Sequence, residues 1–230
     1  MIYFKKSMPA PPSLEVEKNK ASSTNYRLQD VITRIKTDFK NKCYLCEYKE
    51  PTTINVEHFI PHRNNRDLMF KWDNLFYACG HCNNLKSDRF DNILNCIDYS
   101  ENIEERIYLK MDPYPFKEVE VKGLDDDEKT INTAELLKLI YNGSTPIKTV
   151  EAENIRKNLL KEILEFQRLL VKYSALEEDD DELEDIKRTI NRHLKDYSAF
   201  TAFKRWIIRE IPYLRDEFYH LFQRKDEAIR

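Results

Sequence analysis

Glycine occurs only three times in this chain of 230 residues, which argues against folds built on repeated tight turns or on a phosphate-cradling loop. Neither G-x-x-x-x-G-K nor G-x-G-x-x-G is present, so nucleotide binding by either route is excluded. Long hydrophobic runs are missing as well. None approaches the roughly 20 residues that cross a bilayer, so the chain reads as soluble, with no membrane partner. The opening Met1-Ile2-Tyr3-Phe4-Lys5-Lys6 lacks the apolar core of a secretory signal, which points to the cytoplasm, where thiols stay reduced. Positive charge is not in excess either. The formal net charge is −3, whereas nucleic-acid affinity rests on Lys and Arg neutralising phosphates.

The distribution of charge matters more than its sum. Two acidic runs, Asp125 to Glu128 and Glu177 to Glu182, carry much of the negative charge and read as solvated loops. Arg63, Arg66, Lys71, Lys86 and Arg89 gather in one stretch. A locally positive cleft, or a grip on nucleic acid supplied by a partner, is compatible with that pattern.

What the chain does have is two C-x-x-C pairs, Cys43/Cys46 and Cys79/Cys82. Two intervening residues let both thiolates of a pair reach one Zn²⁺ at about 2.3 Å, and two pairs complete a closed tetrahedron of structural type. A redox dithiol, a disulfide pair and chance are the alternatives. A redox C-x-x-C comes singly beside a βαβ pattern, and nothing here indicates an oxidising compartment. Cys96, in the apolar stretch Ile93-Leu94-Asn95-Cys96-Ile97, reads as a buried small residue.

The expected fold class is α+β and mostly helical, with a small zinc-stabilised ββα core, an N-terminal arm and a helical C-terminal region. Residues 1–25 contain Pro9, Pro11 and Pro12 and read as an extended arm. The core is expected over 26–100: a helix over about 26–40, a strand over 54–58, an antiparallel return over 74–78, and a helix from about Asn83. Residues 101–150 read as a connecting region. Over 151–230, Ile155, Leu159, Ile163, Phe166, Leu170 and Tyr173 share one helix face. Ile186, Ile190, Leu194 and Tyr197 form a second stripe, and Phe200, Phe203, Ile207 and Ile211 a third until Pro212 interrupts. This tail forms a small bundle or docks onto the core, and its aromatics Phe200, Phe203 and Trp206 read as packing residues.

Between the cysteine pairs lie the candidates for chemistry. Phosphodiester hydrolysis needs an activated water and a cation to neutralise charge in the transition state. His58, with an ordinary pKa near ~6.5, offers neutral imidazole as general base. Glu57 and Asn83 are oxygen donors suited to Mg²⁺, with Mn²⁺ as the substitute. Neighbours in a regular strand face opposite ways, so a bulge or strand end at Glu57-His58 is expected if both line one site. His62, Lys86 and Arg89 are candidate phosphate contacts, and His81 reads as a spacer inside the second knuckle.

In joint order, Cys43-x-x-Cys46, Glu57-His58-x-x-Pro61, Asn74-Leu75 and Cys79-x-x-Cys82-Asn83 with Lys86 resemble the HNH endonucleases of the ββα-metal type. The resemblance implies His58 as general base, Glu57 with Asn83 on the catalytic metal, and Asn74 fixing the loop and the orientation of His58. Asn83 stands where the last His of the family name can stand, and Glu57 where Asp is more frequent. More broadly, the opening residues, the motif position and the tail Ser198-Ala199-Phe200-Thr201-Ala202-Phe203-Lys204-Arg205-Trp206-Ile207 are similar to the PtuB family, the HNH subunits of Septu anti-phage systems, and to retron-associated relatives. That similarity implies a PtuA-like ATPase partner docked on the tail and a nucleic-acid target. DNA is favoured over RNA. Two other functions compete: a zinc-knuckle nucleic-acid-binding module, and an interaction subunit that is catalytically silent without its partner.

Overall fold

A computed structural model describes residues 1–115, 118–177 and 181–222. It is α+β and mostly helical, with two small antiparallel sheets. The arm expected to be extended is not so throughout. Pro12 opens a two-turn helix, α1 (Pro12–Lys18), because proline at the first helical position gives up only an N–H that has no intrahelical partner. Met1, Ile2 and Phe4 are buried in the main core, and Phe4 N donates to Cys96 O at 2.8 Å. Helix α2 (Gln29–Asp38) buries Val31 and Ile35 and stops where Lys40 and Asn41 take positive φ.

The central unit is β-β-α. Strand β1 (Ile54–His58) pairs antiparallel with β2 (Leu75–Cys79) in a register from Ile54↔Cys79 to His58↔Leu75. The connection carries helix α3 (Arg66–Met69), capped by the Asn65 side chain on Asp67 N and Leu68 N, and a turn of 3-10 helix at Trp72–Asn74. Helix α4 (Gly80–Lys86) follows β2 without a loop, starting three residues earlier than the sequence suggests.

The connecting region is structured. Helix α5 (Ile103–Arg106) leads into a hairpin of β3 (Ile107–Lys110) and β4 (Glu120–Gly123), and then α6 (Glu128–Asn142) packs on β4. The first acidic run is therefore more than a solvated loop. Asp127 caps α6 through Lys129 N, and Asp125 and Asp127 pair with Arg106 at 2.7 and 2.9 Å. Of the second run, residues 178–180 lie outside the described residues.

Among the described residues four α-helices follow, α7 (Pro146–Ser174), α8 (Leu183–Leu194), α9 (Thr201–Glu210) and α10 (Pro212–Phe218), with a turn of 3-10 helix at Tyr219–Leu221. The expected stripes lie mostly on their buried faces, but Tyr173, Ile207 and Ile211 are only half-buried, and Tyr197 lies beyond α8 and is exposed. Pro212 does interrupt the third stripe, since α9 stops at Glu210, and it opens α10, again from the first helical position. Ile155, Leu159, Ile163, Phe200 and Phe203 belong to the main core, whereas Phe166, Leu170, Ile186, Ile190, Leu194, Ile208, Leu214 and Phe218 form a second cluster. The tail thus has a core of its own and also docks. Among the described residues, no helix is long and apolar enough to cross a membrane.

Candidate active site and zinc cluster

Two local structures bring the four paired cysteines together. Cys43 and Cys46 lie on a knuckle closed by Cys43 N to Tyr48 O (3.1 Å) and Glu47 N to Cys43 O (2.9 Å), with Glu47 at positive φ. Cys79 ends β2 and Cys82 lies in the first turn of α4. All four thiols are buried and lie within 4.8 Å of one another, and the Sγ atoms of Cys46 and Cys79 are 3.9 Å apart. Four sulfurs at about 2.3 Å from one tetrahedral ion are themselves about 3.8 Å apart, so the cluster fits zinc. Burial pushes the Cys46 and Cys82 thiols well up, while hydrogen bonds from Cys43, Cys46 and Cys82 pull Cys79 far down. Four thiolates so close together in a dry site need a cation to neutralise them. Cys96 is buried and stands outside the cluster, its thiol pushed up by burial. His81 is no ligand: its two nitrogens bond Glu151 Oε2 (2.7 Å) and Ile140 O (2.8 Å), tying α4 to α7 and α6.

The knuckle is anchored from behind. Lys42, fully buried, donates to Ser198 O (2.7 Å) and Thr201 Oγ1 (3.2 Å) and lies 3.4 Å from Glu47 Oε2. Glu47 also accepts from Ala202 N at 3.2 Å. Burial pushes the Glu47 carboxyl up, but Lys42, the amino terminus and the Ala202 N–H hold it below the usual range. These groups join the zinc knuckle to the start of α9.

His58 closes β1 with its ring half-buried. Its Nε2 lies 3.0 Å from Met69 O, a group that only accepts, so Nε2 carries the proton and Nδ1 holds the lone pair. Burial pushes the imidazole down to about 4, which keeps it neutral near pH 7. Asn74 holds the loop that follows. Its Oδ1 accepts from Ile60 N (2.7 Å), its Nδ2 donates to Ile60 O (2.8 Å) and Leu68 O (3.1 Å), and its carbonyl accepts from Phe59 N (2.9 Å). One amide thus pins both the segment after His58 and the helix that supplies Met69.

Glu57 lies on the opposite face of β1. The ladder continues in register through Glu57↔Phe76 and His58↔Leu75, so the bulge that would turn both side chains to one side is not there. Lys86 Nζ stands 2.9 Å from Glu57 Oε1, and Lys86 itself is wholly buried, donating to Phe59 O (2.8 Å) and His58 O (3.3 Å). Lys86 is therefore no phosphate contact on the surface as folded: it turns inward because β1 leaves a buried carboxylate and two carbonyls facing α4. Both Glu57 oxygens are buried without a well-aligned hydrogen bond. Burial pushes this carboxyl up to about 7, with Lys86 pulling the other way. Asn83, half-exposed, is one turn before Lys86 on α4 and so shares its side of the helix. A carboxylate with orphaned lone pairs and a nearby amide have the chemistry to hold a hard divalent cation. The ion pair with Lys86 is what such a cation has to displace.

The remaining basic residues divide. Arg66 donates to the carbonyls of Ser23, Lys18 and Lys20 and so ties down the chain around the end of α1, and Arg63 pairs with Asp91 at 3.0 Å. Lys71 and Arg89 are exposed, Arg89 bonding Leu85 O. His62 is half-buried with its ring 4.6 Å from that of His58. One neighbour escaped the sequence reading: Tyr26, ahead of α2, lies edge-on to His58 with centroids 4.4 Å apart. An isolated tyrosine between two helices carries no pattern that would single it out.

Comparison with known proteins bears on the same stretch. Residues 43–89 match the family described as HNH endonuclease. The chain is 30% identical over 135 residues to Septu protein PtuB of Bacillus thuringiensis, covering 52% of this chain and 50% of that protein. The chain thus spans about half the length of that curated relative. No solved structure matches.

Proposed function

We propose, from the premise that residues 43–89 are an HNH endonuclease domain, that this chain hydrolyses phosphodiester bonds in nucleic acid, with DNA as the favoured target, as the nuclease subunit of an anti-phage defence complex. The observation that carries the reading is the state of His58: a neutral imidazole with Nε2 fixed by Met69 O, leaving the Nδ1 lone pair to take a proton from water. Asn74 is the positioning residue of this base, since it holds both the loop after His58 and the carbonyl of Leu68 beside Met69. Glu57 and Asn83 would hold a divalent cation, Mg²⁺ or Mn²⁺. When bound, that cation supplies charge neutralisation on the scissile phosphate. The cysteine cluster keeps the structural zinc apart from this chemistry.

The similarity to Septu protein PtuB supports the defence setting and a PtuA-like ATPase as partner. The cytoplasm suits a chain with five free, buried cysteines. One observation favours a second reading, a nuclease silent until its partner or substrate engages: the Lys86 ammonium already neutralises Glu57.

The test is cleavage of supercoiled plasmid by the purified chain, wild type beside His58→Ala, with Mg²⁺ and with EDTA. Cutting that requires both Mg²⁺ and His58 is the expected result. A folded, zinc-loaded wild type that cuts neither DNA nor RNA, alone or with the ATPase added, overturns the catalytic reading.

A further inference from the structure

Outside the matched HNH segment, Arg27 lies along Tyr26, the aromatic neighbour of the candidate base His58. Arg27 is exposed, and no carboxylate pairs with it among the described residues. Its guanidinium is nevertheless not loose. Nη2 donates to the Tyr26 hydroxyl at 2.8 Å, and Cζ lies 5.0 Å from the centre of the Tyr26 ring. The backbone is set by an Asx turn in which Arg27 N donates to Asn25 Oδ1 at 3.1 Å. Tyr26 in turn packs edge-on against both histidines of the site, at 4.4 Å from His58 and 6.5 Å from His62. A surface arginine pointing into water loses much rotamer freedom when it binds a ligand, whereas one already laid along a tyrosine has less to lose. Of the two cations that sequence alone nominates for the phosphate, Lys86 is committed inside the protein and the exposed Arg89 donates back to Leu85 O at 3.2 Å.

We infer that Arg27, held in place by Tyr26, is the substrate-phosphate contact of this active site, binding a phosphodiester next to His58. The inference rests on the proposed nuclease reading and deepens it. A guanidinium forks onto two phosphate oxygens, and its contact carries no base information, so it adds affinity without sequence preference. Tyr26 acts through its neighbours: its ring limits where the His58 imidazole can turn, and its hydroxyl fixes the arginine.

Two measurements on the full chain test this. In the first, cleavage kinetics are compared for Arg27→Gln, Arg27→Lys, Tyr26→Phe and wild type at matched melting temperature. Arg27→Gln is expected to raise KM about tenfold with kcat changed less than about threefold, since a ground-state phosphate contact is lost. Arg27→Lys should recover most of the loss, and Tyr26→Phe should raise KM by a smaller factor. An unchanged KM for Arg27→Gln, or an equal loss without rescue by lysine, overturns the inference. In the second, a fluorescent double-stranded oligonucleotide is titrated against His58→Ala and the His58→Ala/Arg27→Gln double variant without divalent cation. Arg27→Gln should weaken binding about tenfold and lower the salt slope by about one. Equal binding by the two proteins overturns the inference even if cleavage needs His58. Arg27-dependent binding by a chain that never cuts keeps the inference and removes the catalytic reading, whereas a chain that neither cuts nor binds removes both.

Discussion

The ββα unit and the C-terminal helices solve the same problem, holding short elements together, by different physics. Between Cys43 and Lys86 the chain has two five-residue strands, the four-residue α3 with a turn of 3-10 helix after it, and a seven-residue helix, and four thiols converge around the end of β2 and the start of α4. The tail has four helices, up to 29 residues long, whose apolar stripes close a second core without a cysteine. A metal held by those thiols would let the first region carry polar side chains on both faces of β1, Glu57 buried on one and His58 half-buried on the other, and still keep its shape. Apolar burial gives the tail its stability but leaves its inner faces no room for chemistry. The lesson is that the candidate site residues gather in the region where the cysteine cluster can take over part of the fastening that apolar burial supplies in the tail.

Perturbations of each region separate the two mechanisms. The largest effect is expected from Cys82→Ser or from prolonged chelation. Structural zinc is worth about 10–16 kcal/mol of apparent folding free energy in small zinc domains, so metal content should fall and amide protection should vanish across residues 43–89. Protection in α7 and α8 should outlast it. Equal loss in both regions would show that the tail has no independent stability.

Next is the junction. Glu47→Gln removes the charge partner of the buried Lys42, and breaking such a pair costs about 3–5 kcal/mol because the remaining charge is left uncompensated. Chemical denaturation should show that loss together with earlier separation of the knuckle from α9. A variant as stable as wild type would mean that the two regions barely communicate. The converse test is Phe166→Ala in the second core, where truncating a fully buried ring costs about 3–5 kcal/mol. Zinc stoichiometry should remain at the wild-type level, and its loss would tie the zinc cluster to the tail.

The last perturbation is a pH dependence at the edge of the ββα unit. Lys6 donates to the carbonyls of Trp72 and Leu75 and lies over the Trp72 ring, its Nζ 3.6 Å from the centroid. Burial lowers this amine to about 7, with Asp73 and Asp38 pulling upward. Its folded value lies below the unfolded one, so between pH 7 and the ordinary lysine value of 10.5 the unfolded chain binds more protons than the folded chain. The group's contribution to stability therefore rises as pH climbs through that window and is flat on either side. The melting temperature of wild type relative to Lys6→Met should increase from pH 7 to pH 10. A pH-independent difference would mean that the amine keeps its ordinary value.

Much of the core unit could be read in advance because its signals are local. Spacing alone pairs the thiols, strand-favouring residues mark β1, and the stripes on α7, α8 and α9 repeat at helical period. Other parts had no such signal. The β3–β4 hairpin has strands of only four residues, too short for a period to register, and α6 buries Thr130 and Thr133 beside its leucines, which blurs its apolar face. The prolines near the start suggested extended chain, yet Pro12 and Pro212 both open helices.

By itself the amino-acid sequence determined the fold class, the grouping of the four paired thiols and the order of the HNH motif, because each depends on residue type and on separations of a few positions. The tertiary structure alone decided which way each motif residue faces. An unbroken ladder sends Glu57 inward and His58 outward, burial of two carbonyls and a carboxylate draws Lys86 inside, and a loop from ahead of α2 brings Tyr26, with Arg27 bonded to its hydroxyl, to the histidine. Those outcomes depend on desolvation and on contacts between segments far apart in the chain, and neither is encoded in any short window of sequence.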